Sequence, residues 1–385
     1  MKNQVRYIGC DDRDLTLFES QYELPEGMCY NSYLVFGDKI AVMDSVDSRK
    51  TDEWLRNIHN ALEGRQPDYI VIHHMEPDHS GSLSSFLTTY PNAQVVCSDK
   101  AVKMARQFAC LPAGVKEPMV VKEGDVLDLG GVTLRFMAAP MIHWPEVMVS
   151  YAAEIRTIFS ADAFGKFGVY AADADDWACE ARRYYFNICG KYGMPVSRLM
   201  AKIAPLAIDT ICPLHGPVLE GEQKDEAIRL YTIWSAYGIE TPGVLIACAS
   251  IHGNTWKAAE KLAVMLREKG AGRVELTDLC RDDMAEAIED AFRMDRLIVC
   301  ASSYDNNVFP PMHQFLWKLQ QKGFQKRRVG IVENGSWAPS AGREMKALLA
   351  GMQDITLVEP MVTIVSSLNT ESEAKLAELA EAMKA

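Results

Sequence analysis

The stretch from Asp68 to Gly81 constrains the fold more than any other. Asp68-Tyr-Ile-Val-Ile72 is apolar and β-branched, which reads as a buried strand. His73-His74-Met75-Glu76-Pro77-Asp78-His79-Ser80-Gly81 follows directly. Leu83, Phe86 and Leu87 then recur at helical spacing, and Ser80 or Ser82 is placed to cap that helix. The nine residues therefore lie on a strand-to-helix loop, where binding and catalytic groups concentrate. Four of them, His74, Glu76, Asp78 and His79, are metal-ligand types. Alternate residues of an extended loop point the same way, so His74, Glu76 and Asp78 are expected to converge, with His79 reaching a second ion. A polar turn with solvated charges is the plain alternative. Four ligand-type residues within six positions, at the end of an apolar strand, argue against it.

At 385 residues the chain is too long for one ordinary domain and suits two. A hydrophobic fraction of 48% is enough for two large cores. The net charge of −12 disfavours nucleic acid and anionic membrane as partners and favours a basic docking protein. The first residues carry no long apolar run, so no signal peptide is expected. No stretch approaches the roughly 20 apolar residues of a membrane span. The ten cysteines are scattered and form no C-x-x-C pair, which argues against rubredoxin-type, zinc-ribbon or iron–sulfur ligation. They read as reduced, mainly buried cysteines of a cytoplasmic protein.

Strands and helices mix over residues 1 to about 240. Tyr33–Phe36 and Lys39–Met43 read as a hairpin turning at Gly37-Asp38, with helices near 51–62, 100–108, 175–189, 196–206 and 222–237. Further strands are expected at 94–97, 132–137, 148–153, 157–160 and 210–213. Tyr237-Gly-Ile-Glu-Thr-Pro-Gly243 has the punctuation of a linker. After it, strands at 244–249, 273–279, 296–302, 328–333 and 356–365 alternate with helices, ending in a helix at 371–384. Such alternation predicts a doubly wound, parallel, five-stranded α/β sheet.

Three more segments place a ligand type just after an apolar strand. Met137-Ala-Ala-Pro-Met-Ile-His143 offers His143, Ile158-Phe-Ser-Ala-Asp162 offers Asp162, and Ile211-Cys-Pro-Leu-His215 offers His215. Gly and Pro around each permit sharp turns. Together with the first loop they make seven ligands, enough for two metals if one carboxylate bridges.

In the second half, Ser250-Ile-His-Gly-Asn-Thr255 joins a strand to a helix N-terminus, an anion-binding arrangement. It contains no lysine and no nucleotide-triphosphatase pattern, and it resembles the phosphate loop of flavodoxins. Candidate contacts there are Ser250, His252, Gly253, Asn254 and Thr255. Ser302, Ser303, Tyr304 and Asn306 follow the third strand, and Asn334, Gly335, Ser336, Trp337 and Ala338 the fourth. Tyr304 and Trp337 are the ring-stacking candidates. In a flavodoxin-like sheet FMN sits at the switch point of strand order. The absence of G-x-G-x-x-G favours FMN over FAD or NAD.

The order H-x-[E/H]-x-D-H, then H, D and H, resembles the metallo-β-lactamase fold, an αββα sandwich with a dinuclear site. Zinc hydrolases of that superfamily usually carry histidine where this chain has Glu76, and a carboxylate there shifts preference toward iron or manganese. With Glu76, and with Trp144-Pro145 after His143, the chain resembles the flavodiiron proteins, or A-type flavoproteins. The resemblance covers almost the whole chain. It implies a metallo-β-lactamase-like diiron domain over 1–241 and a flavodoxin-like FMN domain over 242–385, the two-domain core form. It implies that His74, Glu76 and His143 hold one iron, that Asp78, His79 and His215 hold the other, and that Asp162 bridges. His73 has no part in that set and is expected to be structural. The implied activity is reduction of dioxygen to water, of nitric oxide to nitrous oxide, or both. Four electrons for dioxygen are available from two ferrous ions and one reduced FMN. Tyr30 or Trp144 could bias the choice of gas. The resemblance further implies a head-to-tail homodimer, or a dimer of such dimers, fed by rubredoxin, another flavoprotein or a deazaflavin. A dinuclear hydrolase fused to a flavodoxin-like electron carrier is the alternative.

Overall fold

This computed structural model describes residues 4–171 and 177–385. The chain divides into two compact units, Met1–Ile188 with Met194–Thr232, and Cys189–Gly193 with Ile233–Ala385.

The first unit is built on two six-stranded sheets. One has the order Val5–Tyr7, Tyr33–Phe36, Ile40–Met43, Tyr69–Val71, Gln94–Cys97, Met119–Val120. The other runs Val126–Asp128, Thr133–Ala138, Met148–Ala152, Thr157–Phe159, Thr210–Cys212, Leu219–Glu220. One core joins their facing sides: Tyr33, Val35, Ala41, Met43, Val71 and Val96 pack with Leu134, Phe136, Met148, Ala152, Phe159 and Cys212. These apolar residues recur at every second position, the period of a strand with one face against a core. Helices bury their own apolar stripes: Trp54 of the helix Thr51–Leu62 lies 5.6 Å, ring to ring, from Phe86 of the helix Leu83–Thr89. The unit is thus a metallo-β-lactamase-like αββα sandwich.

Strand direction decides where the loops gather. Thr133–Ala138 and Thr157–Phe159 both pair antiparallel with Met148–Ala152, so they run the same way. Thr210–Cys212 is parallel to Thr157–Phe159. The loops bearing His143, Asp162 and His215 therefore leave one edge of that sheet.

The second unit is the parallel, flavodoxin-like sheet. Its order is Arg273–Asp278, Thr241–Ala249, Met294–Tyr304, Gln325–Asn334, Gln353–Ile364, with every neighbouring pair parallel. Val244, Ile246 and Cys248 face one helical layer, packing on Ala259, Leu262, Leu266, Leu376 and Leu379. Strand order reverses between the first and third strands, which opens a crevice at their carboxyl ends.

Most expected elements are present, with boundaries moved by at most three residues. The helix expected at 175–189 spans Trp177–Ile188, residues 175 and 176 lying outside the described residues. The short strands Val5–Tyr7, Cys10–Asp12, Leu17–Phe18, Tyr22–Glu23 and Met28–Tyr30 were not legible, because two or three residues carry no periodicity. Eight of the ten cysteines are buried. Among the described residues, no helix is long and apolar enough to cross a membrane.

Candidate functional site

The central loop departs from the extended path expected of it. His73 to Glu76 belongs to no helix or strand. Pro77–Ser80 winds a helical turn with Pro at its first position, where a missing N–H costs no hydrogen bond. Asp78 and His79 therefore swing away from His74 and Glu76, and Asp78 does not join them as simple alternation predicts. Neither serine caps the next helix. Ser80 Oγ donates to Met75 O at 2.9 Å and Ser82 Oγ to Asp47 O at 3.1 Å, both anchoring the loop instead.

All seven ligand-type side chains converge into two groups, His74–Glu76–His143–Asp162 and Asp78–His79–His215, each with ligand atoms within 4.8 Å of one another. In the first group, His143 Nε2 lies 2.9 Å from Glu76 Oε2 and 3.2 Å from Asp162 Oδ2, and His74 Nε2 lies 3.2 and 3.5 Å from the same oxygens. In the second, His79 and His215 Nε2 each lie 3.3 Å from Asp78 Oδ2, and His79 Nε2 lies 3.1 Å from Asp162 Oδ1. Asp162 thus turns one oxygen to each group.

The donors fit metal ions better than they fit each other. Both oxygens of Asp78, both of Asp162 and Nε2 of His143 are buried without a hydrogen-bond partner. Buried polar atoms are rarely left so, and an ion is one of the few explanations. Ligands about 2.1 Å from one ion sit roughly 3.0–3.4 Å from each other, the spacing seen here. Charge agrees. Burial works against charging His143, but Asp162 and Glu76 outweigh it and raise its pKa to about 9. His74 and His79 are also raised, against burial, by Asp162 and neighbouring carboxylates. Glu76, despite burial, is held down at about 2 by His143 and His74, and Asp162 is held low by His79, His74 and His143. The carboxylates stay charged and demand positive charge beside them.

Neighbours fix the ligands in place. His74 Nδ1 lies 2.7 Å from Glu146 Oε1, which also accepts Met75 N–H at 2.9 Å. His215 Nδ1 lies 2.7 Å from Cys29 O, Gly216 N–H donates to Cys29 Sγ at 2.9 Å, and Asn31 Nδ2 donates to Pro213 O and Gly216 O. Gly216 has φ +78°, the left-handed turn that lets this loop double back. His73 is not among the converging residues. It is fully buried, with Nδ1 2.6 Å from Asp44 Oδ2 and Nε2 2.9 Å from Ser150 Oγ, a structural tie between the two sheets. Glu146, Asp44, Cys29 and Asn31 escaped the sequence reading. An acidic residue three positions after His143, facing the apolar run Val147–Val149, was the available signal for Glu146.

A cavity of about 260 Å³ touches both groups, through Glu76 and Asp78, and is lined also by Tyr30, Asp47 and Arg49 with Leu15, Leu17 and Phe18. Arg49 donates to Tyr30 Oη at 2.7 Å. The Trp144 ring stands edge-on to His74 at 5.2 Å.

The second unit carries a cavity of about 520 Å³ at its switch point. Its lining includes every expected flavin-contact residue except Gly253, and adds Ile251, Asp305, Ser340 and Ser366. Gly253 forms the turn, with φ +87° and its N–H donating to Ser250 Oγ at 3.0 Å. Thr255 and Ser302 hydroxyls lie 2.9 Å apart, closing the first two loops together. Tyr304 and Trp337 are 46% and 92% exposed, so neither ring serves the core and both flank the cavity. Ser366 was missed because its loop follows the fifth strand, beyond the three loops the sequence pointed to. The volume suits one cofactor, and the loop at the start of the helix Asn254–Glu268 suits its phosphate.

Comparison with known proteins finds relatives along most of the chain. Residues 28–216 match the family model described as ODP family beta lactamase. The anaerobic nitric oxide reductase flavorubredoxin of Shigella flexneri is 27% identical over 365 residues, covering 92% of this chain and 75% of that protein. Rubredoxin oxygen:oxidoreductase from Desulfovibrio gigas superposes with a TM-score of 0.90 at 25% identity, covering 99% and 96% of the two chains. Over nearly its whole length the chain is similar to flavodiiron proteins. A flavodiiron protein from Giardia intestinalis shares the fold at 22% identity, with a TM-score of 0.90 over 99% of this chain and 95% of its own.

Proposed function

We propose that this chain is a flavodiiron protein that reduces dioxygen to water, nitric oxide to nitrous oxide, or both, in the cytoplasm. His74, Glu76 and His143 would hold one iron, Asp78, His79 and His215 the other, and Asp162 would serve both. The carrying observation is the divided carboxylate of Asp162, with Oδ2 3.2 Å from His143 Nε2 and Oδ1 3.1 Å from His79 Nε2. When bound, the irons supply a binding place and two electrons for the gas, and FMN supplies two more. The protein's own part is to hold and orient. Two nitrogen–carboxylate sets that share one carboxylate would suit two adjacent metals, an arrangement that clamps a two-centre substrate. Leu15, Leu17 and Phe18 line the cavity with apolar surface, suited to a small uncharged gas. Burial raises the Tyr30 phenol well above its ordinary range and keeps it protonated. With Arg49 donating to its oxygen, Tyr30 presents that proton to the cavity. Arg49 is steadied by Asp47 at 3.0 Å and Asp12 at 3.3 Å.

The 520 Å³ cavity would hold FMN, Ser250–Thr255 taking the phosphate and the loops of Tyr304 and Trp337 the ring. The reading includes a head-to-tail homodimer, or a dimer of dimers, and an external reduced donor such as rubredoxin, a flavoprotein or a deazaflavin. Anaerobically purified protein should contain two irons and one FMN per chain. Given a reduced chemical donor, it should consume dioxygen or nitric oxide at a rate that falls with loss of either cofactor. Full turnover by zinc-loaded protein would defeat this reading.

A further inference from the structure

The ligating histidines differ in what stands behind them. His74 Nδ1 faces the carboxylate of Glu146 at 2.7 Å, and both side chains are fully shielded from water. His215 Nδ1 faces a neutral carbonyl, that of Cys29, also at 2.7 Å. His79 Nδ1 is buried with no partner. Glu146 is itself rigidly seated. Its backbone oxygen accepts from Ser98 Oγ at 3.0 Å, and Ser98 caps the helix Asp99–Gln107. Its Oε2 is buried with no hydrogen-bond partner, and its Oε1 accepts from Met75 N–H as well as facing His74.

We propose that Glu146 is a positioning residue that makes the two metal positions unequal. This rests on the ligand assignment above. Glu146 fixes the His74 tautomer with Nδ1–H toward the carboxylate and the Nε2 lone pair toward the metal. An anionic partner also makes an imidazole a stronger donor. In a dry pocket that effect is little screened. A stronger donor favours the more highly charged ion. The iron held by His74, Glu76 and His143 is therefore the one that prefers the ferric state.

Full-length variants loaded with iron and FMN test this by redox titration, iron analysis and EPR of the one-electron-reduced diiron pair. Glu146→Gln keeps an acceptor oxygen for both N–H groups and removes only the charge. It should retain two irons per chain and raise the reduction potential of one of them. A tenfold loss of ferric preference equals about 59 mV for one electron. Glu146→Ala removes the acceptor as well and should weaken one iron by about 10–100-fold. His74→Ala tests the assignment itself and should lose one iron. A Gln variant with two irons and unmoved potentials overturns the role of Glu146 and leaves the assignment standing. A His74→Ala protein that keeps two tightly held irons overturns the assignment instead. If the Gln variant binds FMN and shows a native circular dichroism spectrum but takes up no iron, Glu146→Asp decides. Recovery of iron by that charged variant supports the inference, and failure to recover overturns it.

Discussion

His79 Nε2 and His215 Nε2 face each other at 3.0 Å, both fully buried. His215 Nδ1 is set against Cys29 O, so that nitrogen carries the proton and Nε2 presents a lone pair when the ring is neutral. Two such lone pairs repel at this distance. A proton or a cation has to lie between them.

Metal binding should therefore release protons. In metal-free protein the pKa of His143 is raised to about 9 and that of His74 well above its ordinary value, so both carry an extra proton at neutral pH, and His79 is raised in the same direction by Asp78 and Asp162. Iron(II) displaces those protons, and affinity should rise with pH. Titration calorimetry in two buffers of different ionisation enthalpy should report net proton release. For the metal-free protein the sign is opposite. Stability gained from the raised His143 is complete below the ordinary histidine pKa of about 6.5 and is lost as pH rises toward 9. Zero proton release on iron binding would contradict the charge assignment.

Asp162→Asn keeps the shape of the bridge but replaces one anionic oxygen with a donor nitrogen. One iron should be lost or bound at least tenfold more weakly, gas reduction should fall below detection, and FMN should stay. Iron and flavin assays on one preparation check this. Two firmly bound irons would remove Asp162 from the bridge.

Glu76→His supplies imidazole where a harder carboxylate stands, the ligand set that favours zinc. It also removes the oxygen 2.9 Å from His143 Nε2. Iron affinity and turnover should drop while FMN is retained. Unchanged turnover would show that Glu76 touches no metal.

Electron transfer across a head-to-tail dimer can be tested by complementation. One chain carries His79→Ala with His215→Ala, and the other carries Asn254→Trp, which fills the flavin cavity. Each homodimer should be inactive, and the mixed dimer should regain activity by pairing one intact flavin with one intact metal site. Folded mixed dimers that remain inactive would place the transfer within a chain.

Much of the first unit was legible because its signals are local. An apolar strand followed by ligand types recurs after Val71, Ala138, Phe159 and Cys212, and no other pattern in the chain repeats chemistry in that way. The parallel sheet was legible from alternation alone, and its crevice from the loops after its first, third and fourth strands. Less legible were groups that act from a distance along the chain. Glu146 meets His74 across 72 positions and Cys29 meets His215 across 186, and neither spacing has a period to read.

By itself the sequence determined the two classes of fold, the seven ligand-type residues and the loops of the flavin cavity, because residue type and strand period are properties of short segments. Tertiary structure decided how those residues divide. The helical turn Pro77–Ser80 sends Asp78 to the group of His79 and His215, away from Glu76 two residues earlier. It also decided that Asp162 faces both groups, one oxygen each. Which side chains share an ion depends on where separate strands end in space, and strand order and direction set those ends.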